Sequence, residues 1–79
     1  MQKEMYITLE GGIIQNIDVS KDLESIKVVV IDFDIDGMPN HKLIRLPSHE
    51  SVFVCEYAIN VIDDGDVEYF EELKKNAEI

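Results

Sequence analysis

The sequence predicts a small α+β protein in which an antiparallel sheet of roughly four or five strands packs on one face against a single C-terminal helix. Two alternating apolar runs flank Gly11 and Gly12, a pattern typical of a β-hairpin. A β-branched run follows at residues 26–36, and residues 63–79 carry apolar side chains at helical spacing. The chain has 79 residues, so we assign residues 1–79 to a single domain.

The N-terminal hairpin allows two registers, and its apolar pattern favours one of them. A two-residue turn at Gly11 and Gly12 divides the apolar side chains between the two faces of a regular ribbon. A three-residue loop that also includes Glu10 pairs Leu9 with Ile13 and collects those side chains on one face. We therefore predict the three-residue loop, with Gly12 in the left-handed conformation. The residues expected on that face are Met5, Ile7, Leu9, Ile13, Ile17 and Val19.

Three further segments are predicted to complete the sheet. Residues 26–36 are expected to form its central strand, or a strand whose second face meets something else, because this run has apolar side chains on both faces. Residues 51–62 are predicted as a later strand, whereas residues 42–46 fit either a short edge strand or a helical turn. The face of the central strand that suits the helix carries Val29, Ile31 and Phe33.

The C-terminal segment carries the signals of a helix at both of its ends. Asp64 or Asp66 is expected to accept hydrogen bonds from the free N–H groups of the first turn. Lys74 and Lys75 lie near the other end, where positive charge suits the helix dipole. The apolar stripe expected to pack on the sheet consists of Val67, Phe70, Leu73 and Ala77.

The net charge of −10 excludes a general binder of the phosphate backbone, which needs clustered Lys and Arg. The acids are concentrated in residues 1–40 and 50–79, and residues 41–49 form a basic segment without an acid. Such acidity either keeps the protein in solution or attracts a basic partner. The N-terminal residues lack a long apolar run, so we expect no signal peptide and no membrane segment, and hence a cytoplasmic protein.

The stretch "IDFDIDG" (31–37) resembles the first half of a calcium loop. The EF-hand pattern needs alternating acids, a glycine and a bidentate Glu at position twelve, where this chain has Leu43. The preceding residues also favour a strand instead of a helix. We therefore predict no metal and interpret the acids as a solvated strand end, with weak calcium binding as an alternative. The residues matching the half-pattern are Asp32, Asp34, Asp36 and Gly37.

The sequence presents no constellation for catalysis or for a cofactor. His41, His49 and Cys55 lack the spacing of a zinc site, and no acid or amide is placed by motif to assist a nucleophilic cysteine. Cys55 lies in phase with Phe53 and Tyr57, which indicates a buried thiol. We therefore expect no catalytic residue, no cofactor and no enzymatic activity.

One short helix covers only one face of the predicted sheet, so the other face is expected to be partly apolar. An exposed apolar patch is commonly covered by another protein, and twofold self-association is the commonest arrangement. A homodimer is therefore a candidate assembly. The residues expected on this dimer face are Tyr6, Ile14, Val28 and Val30.

The stretches "LEGGIIQNI", "IKVVVIDFDIDG" and "VFVCEYAINV" resemble a group of small bacterial and mobile-element proteins of unknown function. These proteins share a strand, a Gly-Gly, an I/V-Q-x-I/V segment, a V-x-V-x-D-x-D strand and a short C-terminal helix. The resemblance covers most of the chain. It implies a fold and a setting, and it implies no chemistry or functional residue.

These observations lead to a non-catalytic, acidic interaction protein, with a mobile-element origin as a possible setting. The alternative is an inhibitor that imitates nucleic acid, of the anti-restriction or anti-CRISPR kind, and that binds a nucleic-acid-handling enzyme instead of nucleic acid. The interaction protein is expected to present an acidic surface and an apolar sheet face to a protein partner, such as a basic or nucleic-acid-binding protein. In the mimic, carboxylates stand in for phosphates. The candidate partner-binding residues are Asp32, Asp34, Asp36, Asp63, Asp64, Asp66, Glu68, Glu71 and Glu72.

Overall fold

The computed structural model describes residues 3–79 and confirms the α+β class, with one C-terminal helix. Within these residues the chain forms two three-stranded sheets instead of one sheet of four or five strands. The elements are β1 (Met5–Glu10), β2 (Ile13–Val19), β3 (Val28–Asp32), β4 (Ile44–Arg45), β5 (Ser51–Tyr57), β6 (Asn60–Val61) and α1 (Asp64–Asn76).

The chain divides into two compact units. Unit 1 comprises Met1–Ile26 and Ala58–Ile79, and it contains β1, β2, β6 and α1. Unit 2 is the continuous segment Lys27–Tyr57, and it contains β3, β4 and β5. The assignment of residues 1–79 to a single domain stays a prediction.

The sheet of unit 1 has the order β1-β2-β6 and is mixed. β1 and β2 are antiparallel, whereas β6 runs parallel to β2 and pairs Val61 with Val19. The expectation of an entirely antiparallel sheet is therefore wrong at β6. The helix packs on this sheet, because the ring centroids of Phe70 and Tyr6 lie 4.4 Å apart.

The hairpin closes with a two-residue turn, so the predicted three-residue loop is wrong. Glu10 pairs directly with Ile13, and the turn consists of Gly11 and Gly12 with φ values of 59° and 77°. Two consecutive left-handed residues match the right-handed twist of the flanking strands, and glycine adopts this conformation without steric cost. Ile13, expected to face the core, is instead 64% exposed.

A β-bulge resolves the conflict that had favoured the longer loop. Leu9 pairs with Ile14, but Thr8 pairs with Asn16, so Gln15 is an extra residue in β2. An extra residue shifts the phase of all side chains beyond it. The bulge therefore places Ile17 and Val19 on the same face as Ile14 and the apolar residues of β1. That face now carries Met5, Ile7, Leu9, Ile14, Ile17 and Val19.

The sheet of unit 2 has the order β3-β5-β4 and is antiparallel. β5 is the central strand, so the prediction that residues 26–36 form the central strand is wrong. β3 also ends early, at Asp32, where the Asp34 N–H donates to Asp32 Oδ1 at 2.8 Å. A side chain that binds the backbone two residues later favours a turn over further strand pairing.

The remaining strand predictions have mixed outcomes. Ile44–Arg45 pairs with the start of β5 at the sheet edge, which confirms the edge-strand alternative for residues 42–46. The predicted strand over residues 51–62 is divided instead, since β5 ends at Tyr57 and β6 belongs to unit 1. The three side chains expected to suit the helix are 51%, 59% and 58% exposed instead, namely Val29, Ile31 and Phe33.

The helix begins and ends close to the predicted positions. Asp63 is the N-cap, and its Oδ1 accepts the Asp66 N–H at 3.0 Å, so the expected caps at Asp64 or Asp66 are wrong. Phe70 is buried, whereas Leu73 of the predicted stripe is 46% exposed. Within residues 3–79, no helix is long and apolar enough to cross a bilayer.

Candidate functional site

An open pocket with a volume of about 580 Å³ lies in unit 1 beside the start of α1. Its wall combines the polar turn after β2, the end of β6 and the first turn of the helix. We call this feature the α1 pocket. Its lining residues are Ser20, Lys21, Asp22, Glu24, Val61, Ile62, Asp63, Asp64 and Val67.

Hydrogen bonds fix the turn after β2 that forms one side of the α1 pocket. Ser20 N–H donates to the Glu4 carbonyl at 2.9 Å, and Glu4 N–H donates to Ser20 Oγ at 3.1 Å. Ile62 N–H donates to the Val19 carbonyl at 2.8 Å, which carries the β2–β6 pairing to the edge of the pocket. Ser20 is 2% exposed and Val19 is fully buried, so the base of the turn is fixed. The following residues form a short 3₁₀ turn, Lys21–Leu23.

The lining of the α1 pocket combines acidic and apolar residues. Four carboxylates line it, from Asp22, Glu24, Asp63 and Asp64, against the single ammonium of Lys21. Ile62 is nearly buried, and Val61 and Val67 add apolar surface. A long cationic side chain suits such a lining, because its aliphatic stem covers apolar surface while its charged head meets carboxylates.

Sequence reasoning found only half of this site. Asp63 and Asp64 are among the candidate partner-binding acids, whereas Asp22 and Glu24 were assigned no role. Their proximity to α1 depends on the parallel pairing of β2 with β6, which joins segments about forty residues apart in the chain. The two acids of the segment "SKDLES" (20–25) were the sequence feature that could have indicated this side of the pocket.

The candidate partner-binding acids divide between the two units. Six lie at the start of α1 or along it in unit 1, and all six are exposed. Among them, Asp63 is committed to capping the helix, and Glu71 contacts Lys74 Nζ at 3.1 Å. The residues of this group are Asp63, Asp64, Asp66, Glu68, Glu71 and Glu72.

The other three acids, Asp32, Asp34 and Asp36, lie in unit 2 and are exposed. Only Asp32 belongs to β3, so they do not form the row along one strand that the sequence suggested. Gly37 follows with a φ of 79° in a turn closed by the Met38 N–H and the Ile35 carbonyl. Among residues 3–79, no three acidic, histidine or cysteine side chains gather in a group able to hold a metal ion.

The residues of the predicted dimer face divide between the two units. Tyr6 packs against Phe70 of the helix, and the bulge places Ile14 on the opposite face of the hairpin. Val28 and Val30 belong to the sheet of unit 2, where both are half-buried. Tyr6 and Ile14 therefore do not share one face, while the dimer face and self-association stay predictions.

A cluster of charges that was not predicted from the sequence joins the segment before β1 to the helix. Lys74 Nζ lies 2.8 and 3.0 Å from the two carboxylate oxygens of Glu4. This hydrogen bond lowers the pKa of Glu4 and, together with Glu71, raises that of Lys74. Lys74 therefore remains protonated and is unsuited to act as a nucleophile.

Tyr6 lies beside this cluster, and its hydroxyl is buried. No hydrogen-bond partner for Tyr6 Oη occurs within residues 3–79. Burial, and after it the negative charge of Glu4, raises the pKa of the Tyr6 hydroxyl. The phenol is therefore uncharged, and its ring contributes mainly through contact with Phe70.

The remaining chemical candidates lie in unit 2. Arg45 Nη2 donates to His49 Nδ1 at 3.3 Å, and both side chains are exposed. Cys55 is a free, half-buried thiol, and burial raises the pKa of the neighbouring Tyr57 hydroxyl. These contacts assemble no nucleophile with a base and an orienting acid among the described residues.

The α1 pocket is thus a concave feature whose lining contains four acidic residues and one lysine. Comparisons with protein-family models, curated proteins and solved structures find no match to this chain.

Proposed function

We propose that this chain is a non-catalytic cytoplasmic protein that binds a basic protein partner through the α1 pocket. The observation that carries the proposal is the lining of the pocket, which combines four acidic residues and one lysine with three apolar residues. An origin in a mobile element, which the sequence resemblance implies, belongs to the same proposal.

Two properties of the pocket support a protein partner. The pocket is open, so a side chain on another surface can enter it without rearrangement of the backbone. Its wall is fixed by the Ser20–Glu4 hydrogen bonds and by the buried Val19. A preformed site loses less conformational entropy on binding than a mobile one.

The chemistry of the lining favours Lys or Arg as the inserted residue. The net charge of −10 supplies a long-range field that accelerates the approach of a positively charged partner. The pocket then discriminates at short range, because Ile62 and Val67 suit an aliphatic stem and Asp64 a cationic head. Binding of this kind weakens as salt screens the charges.

Affinity capture with matched variants tests this proposal. The pocket variant carries Asp22→Asn, Glu24→Gln and Asp64→Asn, and it spares Asp63 because that residue caps the helix. The control variant removes the same number of charges in unit 2, through substitution of its three candidate acids. It carries Asp32→Asn, Asp34→Asn and Asp36→Asn.

The expected result is a basic host protein that the native chain and the control variant capture and the pocket variant does not. Calorimetry with the purified partner is then expected to give an affinity that falls steeply with salt. Equal capture by the pocket variant, or an affinity unaffected by salt, contradicts the proposal. So does the absence of any captured partner.

A nucleic-acid mimic is the second candidate, and one feature of α1 favours it. Asp64, Glu68 and Glu72 follow each other at intervals of four residues and are all exposed. Such residues lie on one side of a helix, about 6 Å apart, and form a row of negative charge. A protein that binds the phosphate backbone reads this type of charge pattern.

Competition with DNA distinguishes the mimic from a general interaction protein. A mimic displaces duplex DNA from its captured partner, and Glu68→Gln combined with Glu72→Gln abolishes that displacement. These two residues lie outside the α1 pocket lining, so the pocket variant and this helix variant separate the two candidates. A partner with no affinity for nucleic acid contradicts the mimic.

A further inference from the structure

β3 presents a free edge in unit 2. It pairs with β5 on one side, and among residues 3–79 no strand pairs with its other side. Apart from the β3–β5 ladder, no backbone hydrogen bond within those residues involves residues 28–32. An edge strand without proline or a bulge is a ready template for another strand.

The side chains along this edge add exposed apolar surface to one face of the sheet, where Glu56 of β5 lies opposite Val29. Val29 and Ile31 are 51% and 59% exposed, and Ile44 on the opposite edge strand is 51% exposed. The strand pairing places all three on one face, together with the buried Val52. Natural edge strands are usually protected by inward-pointing charges, which β3 lacks between Lys27 and Asp32.

We propose that β3 pairs with β3 of a second copy of this chain, antiparallel about a twofold axis, and joins two three-stranded sheets into one of six strands. The axis passes beside Val30, the middle residue, because only this register pairs all five residues of β3. It places Val29 opposite Ile31 of the second copy, on the same face. This interface lies in unit 2, so it is independent of the partner site proposed in unit 1.

Charge complementarity identifies the second copy as the occupant. The N-terminal end of β3 follows Lys27, whereas its C-terminal end carries Asp32 and is followed by Asp34. Antiparallel self-pairing brings the positive end of each strand beside the negative end of the other. Parallel pairing would bring aspartates beside aspartates, which is unfavourable.

The same criterion excludes β1, the free edge of the other sheet. Acids lie at both ends of this strand, at Glu4 and Glu10. Self-pairing about Ile7 places Glu4 directly opposite Glu10 of the second copy, and like charges in opposed positions destabilise a sheet. Glu4 is also already bound to Lys74.

Light scattering tests whether the dimer exists. At high micromolar concentration the expected mass is twice the 9.1 kDa of one chain, and dilution returns the mass to that of the monomer. Ile31→Lys is expected to raise the dissociation constant at least tenfold. Ile13→Lys, at an equally exposed site in the hairpin turn region, is the matched control and leaves the constant unchanged. A monomeric mass at high micromolar concentration overturns the proposal, and so does equal sensitivity to both substitutions.

Cysteine crosslinking tests the register, in a background carrying Cys55→Ser. Val30→Cys places two thiols directly opposite each other, at a Cα separation of about 5 Å that a disulfide spans. Val28→Cys is the control, because its two copies are four residues apart along the strands, or about 13 Å. The expected result is a covalent dimer under mild oxidation with Val30→Cys alone. Crosslinking of both variants, of neither, or of Val28→Cys alone overturns the proposed register.

Discussion

Unit 1 and unit 2 contain similar alternating strands, yet they differ in how far their apolar side chains are buried. Unit 1 holds four of the five buried hydrophobic residues found in residues 3–79, whereas unit 2 holds only Val52. Unit 2 instead leaves the outer face of β3 more than half exposed at Val29 and Ile31. The buried apolar residues of unit 1 are Ile17, Val19, Ile62 and Phe70.

The two units also differ in the elements that accompany their sheets. Unit 1 contains a 13-residue helix that contributes Phe70, in contact with Tyr6 and Tyr69. Unit 2 contains no α-helix among its residues, and its third strand is only two residues long. Alternation along a strand therefore predicts which side chains share a face, but burial requires a second layer.

The largest test of this comparison is Phe70→Ala. Phe70 is 7% exposed and stacks on Tyr6, so truncation removes the main contact between helix and sheet. We expect a loss of about 3–5 kcal/mol in the free energy of unfolding, measured by urea denaturation. Phe33→Ala in unit 2 is the control, and at 58% exposure it should change the free energy by less than about 0.5 kcal/mol. Similar losses in both variants contradict the assignment of the core to unit 1.

A smaller effect is expected from Ser20→Ala. This serine is 2% exposed, and its hydroxyl accepts the Glu4 N–H at 3.1 Å. Loss of the acceptor leaves that donor unpaired, at a cost of about 1–2 kcal/mol. Ser48→Ala is the matched control, because Ser48 lies on the surface of unit 2 and bonds Glu50 at 3.4 Å. A stable Ser20→Ala protein indicates that the pocket wall does not depend on this hydrogen bond.

The Glu4–Lys74 pair predicts an acid-dependent stability. Its hydrogen bond lowers the pKa of Glu4 below the ordinary value of 4.5. Stability from this pair is therefore complete above pH 4.5 and is lost as the pH falls through the lower, folded-state pKa. We expect the melting temperature of the native protein to fall over this window, and Glu4→Gln to reduce the fall. Glu10→Gln is the control, because it removes an exposed carboxylate from β1. This variant is expected to show the same fall in melting temperature as the native protein.

The smallest effect is expected from the corresponding ion pair of unit 2. Lys27 and Glu56 are 3.6 Å apart, with side chains 70% and 61% exposed, against 20% and 24% for Lys74 and Glu4. Solvent screens such an exposed pair, so Lys27→Gln should change the free energy of unfolding by less than about 1 kcal/mol. Urea denaturation at low protein concentration measures this value without self-association. If Lys27→Gln lowers the free energy of unfolding as much as Ser20→Ala does, the expected difference in stability between the two units is contradicted.

The elements were more predictable from the sequence than their connections. Gly11 and Gly12 identified the turn, and the acids and lysines at the two ends of α1 identified the helix. The bulge at Gln15 was not visible, because it depends on the phase of two strands instead of on a local signal. The early end of β3 had a local cause in Asp32, whose side chain competes for the backbone.

The candidate site was only partly predictable, because its two sides come from distant segments. Asp63 and Asp64 stood out as helix-start acids, whereas Asp22 becomes part of the α1 pocket only through the β2–β6 pairing. The contact of Lys74 with Glu4 joins residues 70 positions apart. Such contacts are set by packing, and sequence periodicity describes only the neighbours along one element.

The division of the chain into a continuous and a discontinuous unit has a consequence for how this protein can be altered. Unit 2 begins and ends at neighbouring points, since Val28 pairs with Tyr57. A segment whose ends meet can be exchanged for another of different length without lengthening the path between its flanks. We therefore expect that residues 27–57 can be exchanged for another segment. The helix and the α1 pocket belong to unit 1 and lie outside the exchanged residues.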